Sequence, residues 1–126
     1  MRYLGIDYGT KRVGLALSDE SGFMAFPLAV IKNDAKRNDT IVKYVKEKHV
    51  EAIVIGHSVD MKGNKNAAQE GVEALMLDLT LATGLPIHLE PEWFTTVAAT
   101  RFQGKTDLKD ASAAALILDS YLVRDK

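Results

Sequence analysis

Residues 51–57 read EAIVIGH, a continuous apolar run of strand length. A strand with one wet face would alternate apolar and polar residues. A run that is apolar throughout must be covered on both faces, as in a parallel strand buried inside an α/β sheet. The rest of the chain has to provide that cover.

Residues 2–7 and 12–18 read as two strands, because Val13, Leu15 and Leu17 alternate with Gly14, Ala16 and Ser18. The short link YGTK contains Gly9 and predicts an antiparallel hairpin with a positive-φ position. GFMAFPLAVI supplies a third strand, in which Pro27 suits an edge or a strand start. From Asp34 the period changes: Ile41, Val42, Val45 and His49 recur at helical spacing among lysines. After EAIVIGH comes the polar loop SVDMKGNK. Asn66 followed by Gln69 reads as a capping box that opens a helix through Val72, Leu75 and Leu79, stopped by Gly84 and Pro86. PIHLE is a fifth strand, a short helix follows FTT with Thr95 or Thr96 as its cap, and a last helix covers about 108–123. The series predicts a five-stranded mixed sheet in one α/β domain over residues 1–126, an antiparallel meander extended by parallel strands through helical crossovers.

Composition narrows the function classes. At 126 residues with 47% hydrophobic and 26% charged residues, the chain describes a soluble globular protein able to bury a core. The lack of cysteine excludes disulfides and thiolate metal sites and fits a reducing cytoplasm. There is no signal-peptide h-region and no apolar run of the roughly 18 residues that span a membrane, so no membrane role is expected. With a net charge of −1, nucleic-acid binding would need a local basic patch.

The carboxylates are spaced suggestively. Asp7 closes the first strand, Glu90 and Glu92 close the fifth, and Asp107 and Asp110 open the last helix. If strands one and five run parallel, their C-terminal ends share the edge where α/β sheets gather ligands. Carboxylates that converge repel, and a divalent cation removes that penalty; oxygen donors suit Mg²⁺ or Mn²⁺. Such a site activates water for in-line phosphoryl displacement. Each residue also has a plain structural role open to it. Asp7 can bond the backbone of the YGTK turn, Asp110 can complement a helix dipole, and Glu92 can be a solvated carboxylate.

Three ordered stretches, YLGIDYGTKRVGLALSD, FTTVAATR and KDASAAALILDSYL, resemble the YqgF family, RuvX-like proteins grouped with Holliday junction resolvases and with nucleases maturing the 5′ end of pre-16S rRNA. The resemblance runs almost end to end. It implies an RNase H-like fold with strand order 3-2-1-4-5 and a metal-dependent nuclease acting on an rRNA precursor or branched DNA. Asp7 matches the family's first metal-binding acid, and Asp110 matches the acid opening the final helix. The middle motif departs: where members read D-E-R-hydrophobic-[ST]-T, this chain has Pro91, Glu92, Trp93, Phe94, Thr95 and Thr96. Glu92 keeps the glutamate, and Glu90 is placed to compensate on the same strand face. The resemblance thus implies Asp7, Glu92 and Asp110 as the catalytic, Mg²⁺- or Mn²⁺-binding residues. A cytoplasmic monomer or weak homodimer is expected.

Lys11, Arg12, Arg101, Lys105 and Lys109 are the candidates for phosphate contact, with ordinary solvated surface charge as the alternative. His57 is either a proton shuttle or a hydrogen-bonded structural residue. Trp93 either stacks on a base or packs locally. The degenerate middle motif leaves a second function open: a binding module for RNA or a ribosomal particle, without catalysis.

Overall fold

In the computed structural model, which describes residues 1–9, 11–58, 67–92 and 109–124, the apolar run forms β4 (Ala52–Ser58). It lies between β1 (Tyr3–Tyr8) and β5 (Ile87–Glu92) and runs parallel to both. β2 (Arg12–Ser18) and β3 (Ala25–Lys32) add to the other side of β1 as antiparallel strands. The resulting order is β3-β2-β1-β4-β5, the order expected from the sequence. Pro27 falls on the edge strand β3, next to a register shift between Leu15 and Ala16, where a missing N–H disrupts little.

Helices cover both faces. α1 (Arg37–Glu47) and α2 (Ala67–Thr83) lie over Leu4, Ile6, Val13, Leu15, Ile53 and Ile55, meeting them with Ile41, Val45, Val72, Leu75 and Leu79. α3 (Lys109–Arg124) lies on the opposite face, where Ala114, Ala115, Ile117, Leu118 and Leu122 bury Ala16 and Val54. Within β4, Ile53 and Ile55 serve one core and Val54 the other, which is why that strand is apolar from Ala52 through Ile55. Each fully buried Leu or Ile contributes about 1.5–3 kcal/mol, so the two cores hold the layers together. Among the described residues no helix is long and apolar enough to cross a membrane.

Two local readings of the sequence change. Gly9 does not have a positive φ; positive φ among described glycines occurs at Gly22 and Gly84. Gly9 is required because any Cβ there would collide with the Arg12 carbonyl oxygen across the hairpin. His49 is not on the face of α1. The helix ends at Glu47, and His49 takes φ 56° so that the Val50 N–H can donate to Val45 O at 3.0 Å, a Schellman closure whose two ends are both buried. Gly84, at φ 69°, stops α2 as expected. Asn66 and the short helix expected after FTT lie outside the described residues.

α3 is held close to the sheet at one point. A Cβ on Gly5 would stand 2.8 Å from Leu118 Cβ and 3.0 Å from the Ala114 carbonyl oxygen. Farther along, Tyr121 meets Tyr3 edge-on at 5.8 Å and stacks on His88 at 5.1 Å. The helix therefore runs antiparallel to β1, with its first turn toward the C-terminal end of that strand. Gly5→Val should push α3 off the sheet at an overpacking cost of about 1–3 kcal/mol. That loss should appear in urea titration as a midpoint lowered by about 1 M with the m value unchanged; an unchanged midpoint would show that the contact is not tight.

Candidate active site at the C-terminal edge of the sheet

Asp7 is the fifth residue of β1 and is half-buried. The pairing registers set it in a lateral row, Gly14–Asp7–Gly56–Glu90, across β2, β1, β4 and β5. Residues in one row project to one face, and Gly5, Val54 and Ala16 identify that face as the one under α3. Both neighbours of Asp7 in that row are glycines, so only backbone flanks it within the row. Glu90 stands two strands away, about 10 Å between Cα atoms, with the bare Gly56 between them. It is one of the two polar or charged side chains buried among the described residues, at 6% exposure, and its Oε2 is sealed from solvent.

The helix completes the edge. Ala114 and Leu118 sit at Gly5. Two strand residues onward along β1 covers about 6.6 Å, and one helical turn back along α3 covers about 6 Å. Position 110, the second residue of α3, is thereby carried toward the row of Asp7. Position 92 is the last residue of β5 and pairs with Ser58, one step beyond Glu90 toward the same edge and on the same face by alternation. The backbones of Glu92, Asp110 and Lys109 are described, but their side chains are not. Arg101, Lys105 and Trp93 lie outside the described residues. Position 57 pairs with Pro91 and shares the alternation of Ile53 and Ile55, which sets it on the face of α1 and α2, away from Asp7.

Lys11 and Arg12 are exposed at the β1–β2 hairpin. What holds that hairpin is a network with no clear signal in the sequence. Asn33, just past β3, donates from its backbone to Lys11 O at 3.0 Å and from its side chain to Gly9 O at 2.8 Å. Arg37 donates in turn to Asn33 Oδ1 at 2.6 Å, lies over the Tyr8 ring at 5.7 Å, and reaches Asp78 of α2 at 3.8 Å. Asn38 also donates to that same Asp78 carboxylate, at 3.0 Å. Tyr8 presses against Gly71, where any Cβ would collide with the phenol oxygen. The turn that carries Asp7 into Lys11 is thus braced from the α1–α2 face. Of these contacts, only the α2 glycine, a costly residue inside a helix, could have been flagged in advance.

Comparison with known proteins shows the family and the fold. The sequence model of a family described as RuvX, Holliday junction resolvase, matches residues 1–124. A protein of Moorella thermoacetica named "putative pre-16S rRNA nuclease" is 37% identical over 134 residues, covering 98% of this chain and 96% of its own. A protein of Geobacillus kaustophilus with the same name is also 37% identical, covering 97% of each chain. Thermus thermophilus RuvC in complex with Holliday junction substrate superposes with a TM-score of 0.65 at 18% identity, over 99% of this chain and 96% of that one. The fowlpox virus resolvase, in complex with substrate Holliday junction DNA, gives 0.67 at 10% identity over 98% of both chains. At such identities the structures share the fold, which is RNase H-like.

Asn33→Ala removes both the bond to Gly9 O and the acceptor for Arg37. It should cost about 1–2 kcal/mol of stability and raise amide hydrogen exchange selectively in residues 8–12. Uniform exchange across the sheet, with no excess at the hairpin, would show that the brace is elsewhere.

Proposed function

The chain belongs to the RuvX family of Holliday junction resolvases, and from that membership we propose that it is a nuclease hydrolysing phosphodiester bonds in structured nucleic acid, with the 5′ end of pre-16S rRNA or a Holliday junction as substrate. The observation that carries the reading is the placement of Asp7: at the C-terminal end of β1, between two glycines, on the face under α3. Among the described residues, only glycine backbone flanks that acid in its row, which leaves room for a phosphate backbone.

Divalent-metal use is part of the reading. The donors available are carboxylates without a soft ligand, a set that fits Mg²⁺ or Mn²⁺. Asp7, Glu92 and Asp110 would hold the ion, with Glu90 beside them in the row of Asp7. A cation there supplies Lewis-acid polarisation of the phosphoryl oxygen and a more acidic water. The chain's own contribution would be placement, with Asp7 on β1, Glu92 at the end of β5 and Asp110 in the first turn of α3. Lys11 and Arg12 would bind the phosphates that flank the scissile bond, joined by Arg101, Lys105 and Lys109. The protein would act as one domain over residues 1–126, in the cytoplasm, as a monomer or weak homodimer.

A second reading, a binding module without turnover, is favoured by one observation: Pro91 and Trp93 stand where the family pattern has an aspartate and an arginine. Cleavage of labelled RNA and junction DNA in Mn²⁺, Mg²⁺ or EDTA separates the two. The nuclease reading predicts cleavage that EDTA abolishes and that Asp7→Asn reduces to background while binding is kept or tightened. Glu92→Gln should lose more activity than Glu90→Gln if Glu92 is the middle acid. Metal-independent binding with no cleavage of any substrate would contradict the nuclease and leave the module.

A further inference from the structure

α2 buries one side and leaves another bare. Val72, Leu75 and Leu79 pack into the core, while Leu77 is 61% exposed and Leu81 78%. A single exposed leucine is ordinary on a protein surface. Here Glu70, Ala74, Leu77 and Leu81 are all exposed and follow one another at steps of four, three and four residues. That spacing draws a stripe along the side of the helix away from the sheet, the seam along which two helices pack.

The neighbouring helix supplies charge. β3, β4 and β5 all run in the direction of β1. α1 and α2 each return the chain from the end of one strand to the start of the next, so they run parallel to each other. Asn38 and Arg37 both reach Asp78, which sets position 38 of α1 level with position 78 of α2. Eight residues on, about 12 Å along the axis, Lys46 is exposed beside the C-terminal end of α2. The outer surface of the two helices thus has an anionic end at Glu70, an apolar middle at Leu77 and Leu81, and a cationic end at Lys46.

We propose that this surface binds a second copy of the chain, α2 against α2 in antiparallel orientation about a two-fold axis near position 79. Such an axis places Leu77 of each copy against Leu81 of the other. It also carries Glu70 of each copy to within about 3 Å, along the helix axis, of the level of the other copy's Lys46. A parallel pairing would set Glu70 against Glu70, so charge selects the antiparallel one. The two-fold makes each favourable pair twice. The patch is small, so the dimer is weak and forms by mass action. The contact does not depend on the nuclease reading, because α2 lies on the sheet face opposite Asp7. It leaves the two Asp7 edges uncovered, at opposite ends of the dimer.

The test is sedimentation velocity on the whole chain in about 0.15 M KCl, from about 5 to 500 µM. The weight-average mass should rise from that of one chain toward that of two. Leu77→Gln with Leu81→Gln should leave a monomer throughout with the melting temperature unchanged, because both positions are exposed and glutamine is a good helix former. Glu70→Lys alone and Lys46→Glu alone should each weaken association about five-fold. The two together should restore it, which no role within a single chain would produce. A monomer at every concentration would overturn the dimer, and so would association that survives both leucine changes. Failure of the double charge exchange to recover affinity would overturn the antiparallel pairing.

Discussion

Gly5 lets α3 lie on β1 with no side chain between them, and the rest of the site follows from that contact. Because the Ala114 carbonyl oxygen and the Leu118 Cβ occupy the space a Gly5 side chain would need, the helix has one height above the sheet. Tyr121, wedged against Tyr3 and His88, fixes its direction. With height and direction set, the first turn of α3 is delivered to the strand end that carries Asp7. A larger residue at position 5 would lift the helix and move its first turn away from the end of β1.

The two faces of the sheet divide the labour. Long aliphatic side chains fill the face under α1 and α2, and that thicker core also contains the brace of Tyr8, Asn33, Arg37 and Asp78. The face under α3 is built from small residues, Gly5, Gly14, Ala16, Gly56 and Ala114, which keep the helix low and the row around Asp7 open. Stability is thus concentrated on one side, and room for a ligand on the other. The charged hairpin belongs to both, held from the first face and presenting Arg12 on the second.

Much of this was legible in the sequence. The apolar run of β4 demanded cover on both faces, and the strand and helix periods pointed to a mixed sheet, because burial imposes those periods directly; the strand order came with the family resemblance. Asp7 was visible as an acid ending a strand. The role of Gly56 was less so: an isolated glycine inside the strand run signals a close approach or an open space, but only the register shows that the space lies between Asp7 and Glu90. His49 was misassigned to α1 because a Schellman closure places the residue after the cap near helical spacing. The Gly9 reading failed because the same glycine can answer a collision as well as a backbone angle. Asn33 and Arg37 were missed since their significance comes from partners distant in sequence.

The proposed metal site requires that strand register and the Gly5 contact bring carboxylates from β1, β5 and α3 to one point. Anomalous diffraction from crystals soaked in Mn²⁺ tests it most directly. A single strong peak is expected within ligation distance of an Asp7 carboxylate oxygen, about 2.0–2.6 Å for a hard cation on oxygen, with an oxygen of Asp110 in the same coordination sphere. A peak elsewhere on the molecule, or Asp7 and Asp110 turned to different surroundings in the metal-soaked crystal, would contradict it.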